Sequence, residues 1–122
     1  ANSMYTSFKK GKPIQNANTD TLVDSLAPPM TLPFSFSVCK KFVDKIVLVS
    51  DDEICASMVI LQEEAKLAIE PAAAACLAAI LGPLKEMVQG RNVGLVMCGA
   101  NIDSQSYSNL LRQGRDYKIN NQ

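Results

Sequence analysis

The chain has 122 residues, enough for one modest domain, and its apolar fraction of 48% argues against disorder. Twelve basic and twelve acidic residues cancel, so neither nucleic acid nor an anionic membrane is expected as a partner. The longest apolar stretch, residues 71–84, is too short and too rich in alanine to span a bilayer. The chain does not open with a basic segment followed by an apolar one, as a signal peptide would.

Cysteine and histidine usage restricts the chemistry further. The four cysteines, at positions 39, 55, 76 and 98, form no Cys-x-x-Cys pair, and three of them lie in segments that resemble apolar helix faces. This pattern favours buried, reduced thiols in a cytoplasmic protein over disulfides. Histidine is absent, which excludes Ser-His and Cys-His catalysis within the chain and zinc sites that contain histidine. Much of any chemistry must therefore come from a cofactor or from residues outside this sequence.

The first part of the chain predicts helices separated by loops. Phe34, Val38 and Phe42 recur at four-residue steps, which is typical of one face of an amphipathic helix. The predicted segments are a helix over residues 1–10 with Gly11 as its stop, a loop over 12–18, a brief helix over 19–27 that ends before Pro28-Pro29, and a helix over 34–43.

The second part predicts two buried strands among helices. Residues 46–49 and 93–97 are uncharged and lack polar alternation, as in strands of a parallel sheet. The other predicted segments are a helix from residue 51 with Ile54, Met58, Leu61 and Ala65 on one face, a helix from Pro71 that is interrupted at Gly82-Pro83 and ends at Gly90, a helix over 104–113 with Gly114 as its stop, and a loose tail over 115–122.

Ser50 and Glu53 have the spacing of a capping box at the start of the helix from residue 51. The Ser50 hydroxyl can accept the Glu53 amide, and the Glu53 carboxylate can accept the Ser50 amide. Asp51, Asp52 and Glu53 together could suggest a metal site, but acidic residues in a first turn that complement the helix dipole are the favoured interpretation.

The helix from Pro71 is apolar all round, which predicts close neighbours on every side. This chain cannot supply all of them, and two strands do not make a sheet that stands alone. The sequence therefore predicts a part of a larger protein, or a chain that pairs intimately with another.

Cys98 falls at the carboxyl end of the predicted strand over 93–97. Gly99 and Asn101 follow, and both tolerate backbone angles that end a strand. Open α/β sheets bind their ligands at such strand ends. The alternative is that Cys98 is a small core thiol, since free cysteine is among the most buried residue types.

Three segments, residues 43–54, 69–79 and 93–103, occur in an order and at spacings that resemble the C-terminal part of the serine/threonine dehydratase and serine racemase family, the fold-type-II enzymes of pyridoxal phosphate (PLP). Residues 1–11 and 21–27 resemble earlier segments of that family. The resemblance implies an α/β fold in which residues 1–114 are the C-terminal part of the large domain, with a partly parallel sheet flanked by helices.

The resemblance also implies roles for individual residues. The residue that matches Cys98 donates a hydrogen bond to the pyridine nitrogen of PLP, and Gly99, Ala100 and Asn101 form the turn beneath the ring. A carboxylate at this position would hold the nitrogen protonated and make the ring a strong electron sink, whereas a neutral thiol suits β-elimination better. Glu70 matches a glutamate near the same edge of the cofactor; its alternative role is a carboxylate at a helix N-terminus.

Two further sites are implied in the first part of the chain. Ser25 stands where the family has a glycine near the cofactor, so it is a cofactor-binding candidate that departs from the pattern. Ala1, through its carbonyl, and Ser3 match positions that bind a structural cation in relatives, here potassium, magnesium or calcium. The alternative for Ala1 and Ser3 is a polar helix start.

The family's Schiff-base lysine, substrate-carboxylate loop and phosphate cradle all precede the matched region, so no catalytic residue is assigned here. The resemblance implies a fragment of an L-serine or L-threonine dehydratase that acts on an amino acid, with the N-terminal remainder of the protein and a second copy in a homodimer as partners. A serine racemase fragment and a non-catalytic or degenerate module are the alternatives.

Overall fold

The computed structural model describes residues 1–15 and 19–120 of the chain. It divides into two compact units, residues 1–48 and 49–122. Part of the predicted loop over 12–18 and the last two residues lie outside the described residues. None of the described helices is both long and apolar enough to cross a membrane. The helices are α1, Ser3–Lys10; α2, Pro33–Phe42; α3, Asp51–Glu63; α4, Pro71–Leu81; α5, Lys85–Val88; and α6, Ser104–Asn120.

In the first unit, α1 ends as predicted at Gly11. Gly11 has φ of 67° and its N–H bonds back to the carbonyls of Phe8 and Ser7, which is the left-handed conformation that glycine adopts at little cost. The rings of Phe8 and Phe36 meet edge to face with centroids 5.8 Å apart and join α1 to α2.

The predicted helix over 34–43 is confirmed as α2, but the prediction of its apolar face is wrong. Phe34 and Phe42 are 79% and 70% exposed, whereas Phe36 is 7% exposed. The four-residue spacing identified the helix correctly, but packing against Phe8 selects Phe36 as the buried ring.

Only a short 3₁₀ helix, Asp24–Leu26, forms within the predicted helix over 19–27. Here side chains bond to nearby backbone: the Val23 N–H donates to Thr21 Oγ1 at 3.1 Å, and the Ser25 N–H to Asp24 Oδ1 at 2.6 Å. Such local bonds compete with the helical ladder, which explains the shorter element.

In the second unit, α3 is the central helix. Its capping box is confirmed, because the Ser50 N–H donates to Glu53 Oε2 at 2.7 Å and the Glu53 N–H donates to Ser50 Oγ at 3.2 Å. Helices α4 and α6 both pack on α3. The side chains that this packing buries are Ile54, Cys55, Ala56, Ser57, Met58, Val59 and Leu61.

Helix α4 packs on α3, and its small residues Ala73, Ala74 and Ala78 are buried. Leu81 at its end is exposed, so the described residues cover only part of this apolar helix. The predicted interruption at Gly82-Pro83 is confirmed, since α4 ends at Leu81 and α5 begins at Lys85.

The predicted strands over 46–49 and 93–97 are wrong for the described chain, and the predicted sheet is not formed among residues 1–15 and 19–120. A strand requires backbone hydrogen bonds to a neighbouring strand. The described residues provide no such ladder for either segment.

The predicted stop at Gly114, with a loose tail after it, is also wrong, because α6 continues to Asn120. Gly114 is buried where α6 crosses α3. A Cβ at residue 114 would lie 2.5 Å from the carbonyl carbon of Cys55 and 2.8 Å from the nitrogen of Ala56. Gly114 therefore serves the close approach of two helices.

We predict that Gly114→Ala destabilises the protein. Alanine in a helix interior is intrinsically better than glycine by about 1 kcal/mol, but the new methyl group would overlap the backbone of Cys55, and overpacking costs about 1–3 kcal/mol. We expect the free energy of unfolding, measured by urea denaturation, to fall by up to about 2 kcal/mol. Ser108→Ala on the exposed part of α6 is the control and should change it by less than about 0.5 kcal/mol. A stabilised Gly114→Ala protein would contradict the contact.

The buried thiol of Cys55 leads us to predict that the protein loses stability at high pH. Burial raises the pKa of its thiol from 9.0 to about 11, and the nearby Asp52 and Asp51 add to this increase. The pKa of the Cys55 thiol is higher in the folded protein than in the unfolded chain. The stability that the protonated thiol contributes is therefore fully present below pH 9.0 and is lost as the pH rises toward about 11.

Between these two pH values, we expect the wild type to lose up to about 3 kcal/mol of unfolding free energy relative to Cys55→Ala. The measurement is urea denaturation of both proteins at a series of pH values, in which titrations common to both cancel. A difference that stays constant across the range would contradict the prediction.

Candidate functional site

The start of α4 and the segment over 96–101 meet in the second unit and form the candidate site. Four of the predicted site residues lie here: Glu70, Cys98, Gly99 and Asn101. Glu70 directly precedes α4, and the other three follow the apolar residues 93–97.

Glu70 holds this segment through both its backbone and its side chain. Its N–H donates to the carbonyl of Gly99 at 3.1 Å, and its Oε2 accepts the N–H of Asn101 at 3.1 Å. We refer to these two bonds as the Glu70 clasp. Bonds from an ionised carboxylate to a backbone N–H are stronger than neutral ones.

The alternative for Glu70, a carboxylate at a helix N-terminus, concerns its charge beside the first turn of α4 and stays a prediction. The side chain accepts no capping hydrogen bond from the first turn of α4. The backbone carbonyl of Glu70 instead accepts the N–H groups of Ala73 and Ala74 at 3.1 and 3.3 Å.

Gly99 is required by close approach, and its backbone angles do not explain it. The positive-φ residues of the described chain are Gly11, Lys66 and Gly90, so neither Gly99 nor Asn101 uses the left-handed region. The permissive backbone angles predicted for these two residues are therefore not used. A Cβ at residue 99 would lie 2.5 Å from Cδ of Glu70 and 2.9 Å from its Oε2, so the carboxylate occupies the space of a side chain.

Cys98 is exposed, so the alternative of a buried core thiol does not hold for the described chain. Its neighbour Val96 is also exposed. The Val96 carbonyl receives a contact from Cys76, whose Sγ lies 3.7 Å from that oxygen and 3.1 Å from the Ala73 carbonyl. The segment that carries Cys98 is thus attached to α4 on both sides of the thiol.

The contacts of Cys76 and Asp103 were missed by the sequence analysis. Cys76 was assigned only to an apolar helix face, and no local signal points to Val96. Asp103 caps α6, since its Oδ1 accepts the N–H groups of Gln105 and Ser106 at 3.0 and 2.9 Å. The hydrogen bonds from Ser106 lower the pKa of Asp103. An aspartate directly before a helix is a recognisable N-cap signal.

The remaining predicted site residues belong to the first unit. Ser25 is exposed, and both its N–H and its hydroxyl donate to Asp24 Oδ1, at 2.6 and 3.2 Å. Ala1 is exposed, while Ser3 is buried and its carbonyl accepts the Ser7 hydroxyl at 2.7 Å. The predicted cofactor contacts, structural cation and homodimer stay predictions.

Comparisons with known proteins identify the family to which the chain belongs. The model of the family described as pyridoxal-phosphate dependent enzyme matches residues 1–99. Phenylserine dehydratase of Ralstonia pickettii is 40% identical over 114 residues, and L-threonine ammonia-lyase of Thermotoga maritima is 33% identical over 112 residues. Among solved structures, maize serine racemase superimposes with a TM-score of 0.80 at 26% identity.

These matches cover most of this chain but only a fraction of each relative. They include 93%, 92% and 93% of the chain, against 35%, 27% and 36% of the Ralstonia, Thermotoga and maize proteins. The chain corresponds to the C-terminal part of its relatives. It therefore spans about a third or less of their length.

Proposed function

Because the chain belongs to the family of pyridoxal-phosphate-dependent enzymes, we propose that it is the C-terminal part of an ammonia-lyase that acts on L-serine or L-threonine. The reaction removes the β-hydroxyl group and yields a 2-oxo acid and ammonia. The relatives named phenylserine dehydratase and L-threonine ammonia-lyase support this reaction class. The structural observation that carries the proposal is the exposed Cys98 thiol, presented beside the Glu70 clasp.

The residues present fit one edge of the cofactor. The Cys98 sulfur makes no hydrogen bond within residues 1–15 and 19–120, so its S–H is available as a weak donor to a ring nitrogen. When bound, pyridoxal phosphate supplies an electron sink that eases loss of the α-proton and of the β-hydroxyl group.

Cys98 orients the ring and limits how strongly the ring draws electrons. A thiol donates only a weak hydrogen bond and carries no charge that would hold the nitrogen protonated. A ring bound against such a donor would draw electrons less strongly, which would suit β-elimination. The nearby carboxylate of Glu70 is bonded to the Asn101 N–H, which directs it to the turn.

None of the lysines in this chain stands at the position of the lysine that binds the cofactor in the family. The family resemblance assigns the lysine that binds the cofactor, the phosphate cradle and the substrate-carboxylate loop to the region before the matched segments. We therefore propose that the N-terminal remainder of the same protein completes the site, and that Cys98 contributes one hydrogen bond to it.

Replacing Cys98 tests this assignment in the full-length protein. We expect Cys98→Ala to lower kcat/KM by about threefold, as the loss of one weak hydrogen bond worth about 0.7 kcal/mol would. The absorbance maximum of the bound cofactor should move as well. Cys98→Ser keeps a donor and should retain most of the activity, and Cys39→Ala in α2 is a control distant in sequence. Unchanged kinetics and an unchanged spectrum in Cys98→Ala would contradict the assignment.

A serine racemase is the second candidate, favoured by the likeness to the maize enzyme. Full-length protein incubated with L-serine or L-threonine should release a 2-oxo acid and ammonia if it is a lyase. Chiral chromatography of the remaining amino acid would reveal D-serine if it is a racemase. If protein with bound cofactor forms neither a 2-oxo acid nor D-serine, both the lyase and the racemase assignments are contradicted. A non-catalytic module is then favoured.

A further inference from the structure

The segment over 93–103 lacks the support that a strand would have. It contains no regular secondary structure, so no ladder of hydrogen bonds fixes its position. Asp103 at its end caps α6; within the described residues, the other hydrogen bonds that join the segment to the rest of the chain come from Glu70 and α4. They are the two bonds of the Glu70 clasp and the contact from Cys76 to the Val96 carbonyl.

The Glu70 clasp holds the backbone immediately after Cys98. One bond ends on the Gly99 carbonyl and the other on the Asn101 N–H, each 3.1 Å long. Gly99 directly follows Cys98, and consecutive Cα atoms lie about 3.8 Å apart, so the bond to the Gly99 carbonyl lies one residue from the thiol. The clasp therefore restricts the position from which Cys98 projects.

Gly99 and Glu70 are complementary in shape. The carboxylate fills the space that a Cβ at residue 99 would need, with Cδ of Glu70 only 2.5 Å from that position. Gly94, in the same segment, shows the contrast: a Cβ there would have no atom within 4 Å. Glycine at residue 99 is thus a consequence of the clasp.

We propose that Glu70 is a positioning residue, which acts on the cofactor through the turn over 99–101 by fixing where the Cys98 thiol is presented. The proposal rests on the proposed function for what Cys98 faces, whereas the clasp itself is a property of this chain. It assigns to Glu70 a geometric role, in which an accepting oxygen at the right distance matters more than negative charge.

Two conservative variants separate geometry from charge. Glu70→Gln keeps the side-chain length and an oxygen that can accept the Asn101 N–H, but loses the charge. Glu70→Asp keeps the charge but is one methylene shorter, so its carboxylate does not reach. The clasp predicts that Glu70→Gln resembles the wild type and Glu70→Asp resembles Glu70→Ala. A direct electrostatic role toward the cofactor predicts the reverse order.

The experiment measures how readily Cys98 reacts in full-length protein with its cofactor bound. Iodoacetamide is added, and modification of Cys98 is followed by peptide mass spectrometry, with Cys39 in the same molecule as the internal reference. Releasing the turn frees the thiol to leave the ring. We expect the Cys98 rate to rise about fivefold in Glu70→Asp and Glu70→Ala, the effect of losing about one hydrogen bond. In Glu70→Gln it should stay within about twofold of the wild type.

A double-mutant cycle checks the shape complementarity, and the comparison of Glu70→Gln with Glu70→Asp tests the clasp separately if a Gly99 variant folds poorly. Gly99→Ala alone should displace the carboxylate and raise the Cys98 rate by at least fivefold. In the Glu70→Ala background, the same glycine change should add less than about twofold, because the obstructing carboxylate is gone. Independent effects of the two substitutions would overturn the proposal, as would equal rates in Glu70→Asp and the wild type.

The absorbance and affinity of PLP, measured on the same proteins, distinguish the two proposals. If the wild type binds PLP and Cys98→Ala shifts its spectrum, but the Glu70 variants leave the Cys98 rate unchanged, the positioning role is wrong while the proposed function stands. If wild-type protein binds no PLP yet the coupling between Glu70 and Gly99 is present, the proposed function is wrong and the clasp stands.

Discussion

The need of backbone groups for hydrogen-bond partners determines how the candidate site is built. A segment such as 93–103, which forms no strand within the described chain, must find its partners elsewhere. It finds them at the start of α4, where Glu70 offers a backbone N–H to Gly99 and a carboxylate to Asn101. The position of the exposed Cys98 thus depends on a residue 28 positions earlier in the chain.

The rest of the second unit fixes α4, and through it the Glu70 clasp. Helix α3 packs against both α4, whose buried residues are alanines, and α6, whose Gly114 lies against the backbone of Cys55. Small residues let helix backbones approach closely, and close packing leaves little room for one helix to shift alone. At the following helix, Asp103 caps the first turn of α6 and anchors the far end of the segment. The thiol is therefore held between two helices that both pack on α3.

The sequence predicted those features that depend on local chemistry. The left-handed stop at Gly11, the capping box of Ser50 and Glu53 and the interruption at Gly82-Pro83 each follow from a few neighbouring residues, and all three are present. Features that depend on distant packing were predicted wrongly. Phe36 is buried in place of Phe34, and Gly114 allows a helix crossing where a helix end was expected, because the atoms that decide both lie in other helices.

In the candidate site, too, local sequence and distant packing determine different features. This explains why the three matching segments are informative together. The residues Glu70, Gly99 and Asn101 were identified by resemblance, yet the reason for Gly99 is visible only when the Glu70 carboxylate is seen in the space beside it. A glycine fitted to a carboxylate requires both residues to be retained together, as does an N–H that this carboxylate accepts. The matching segments over 69–79 and 93–103 therefore form one physical unit, and their joint presence is more informative than either alone.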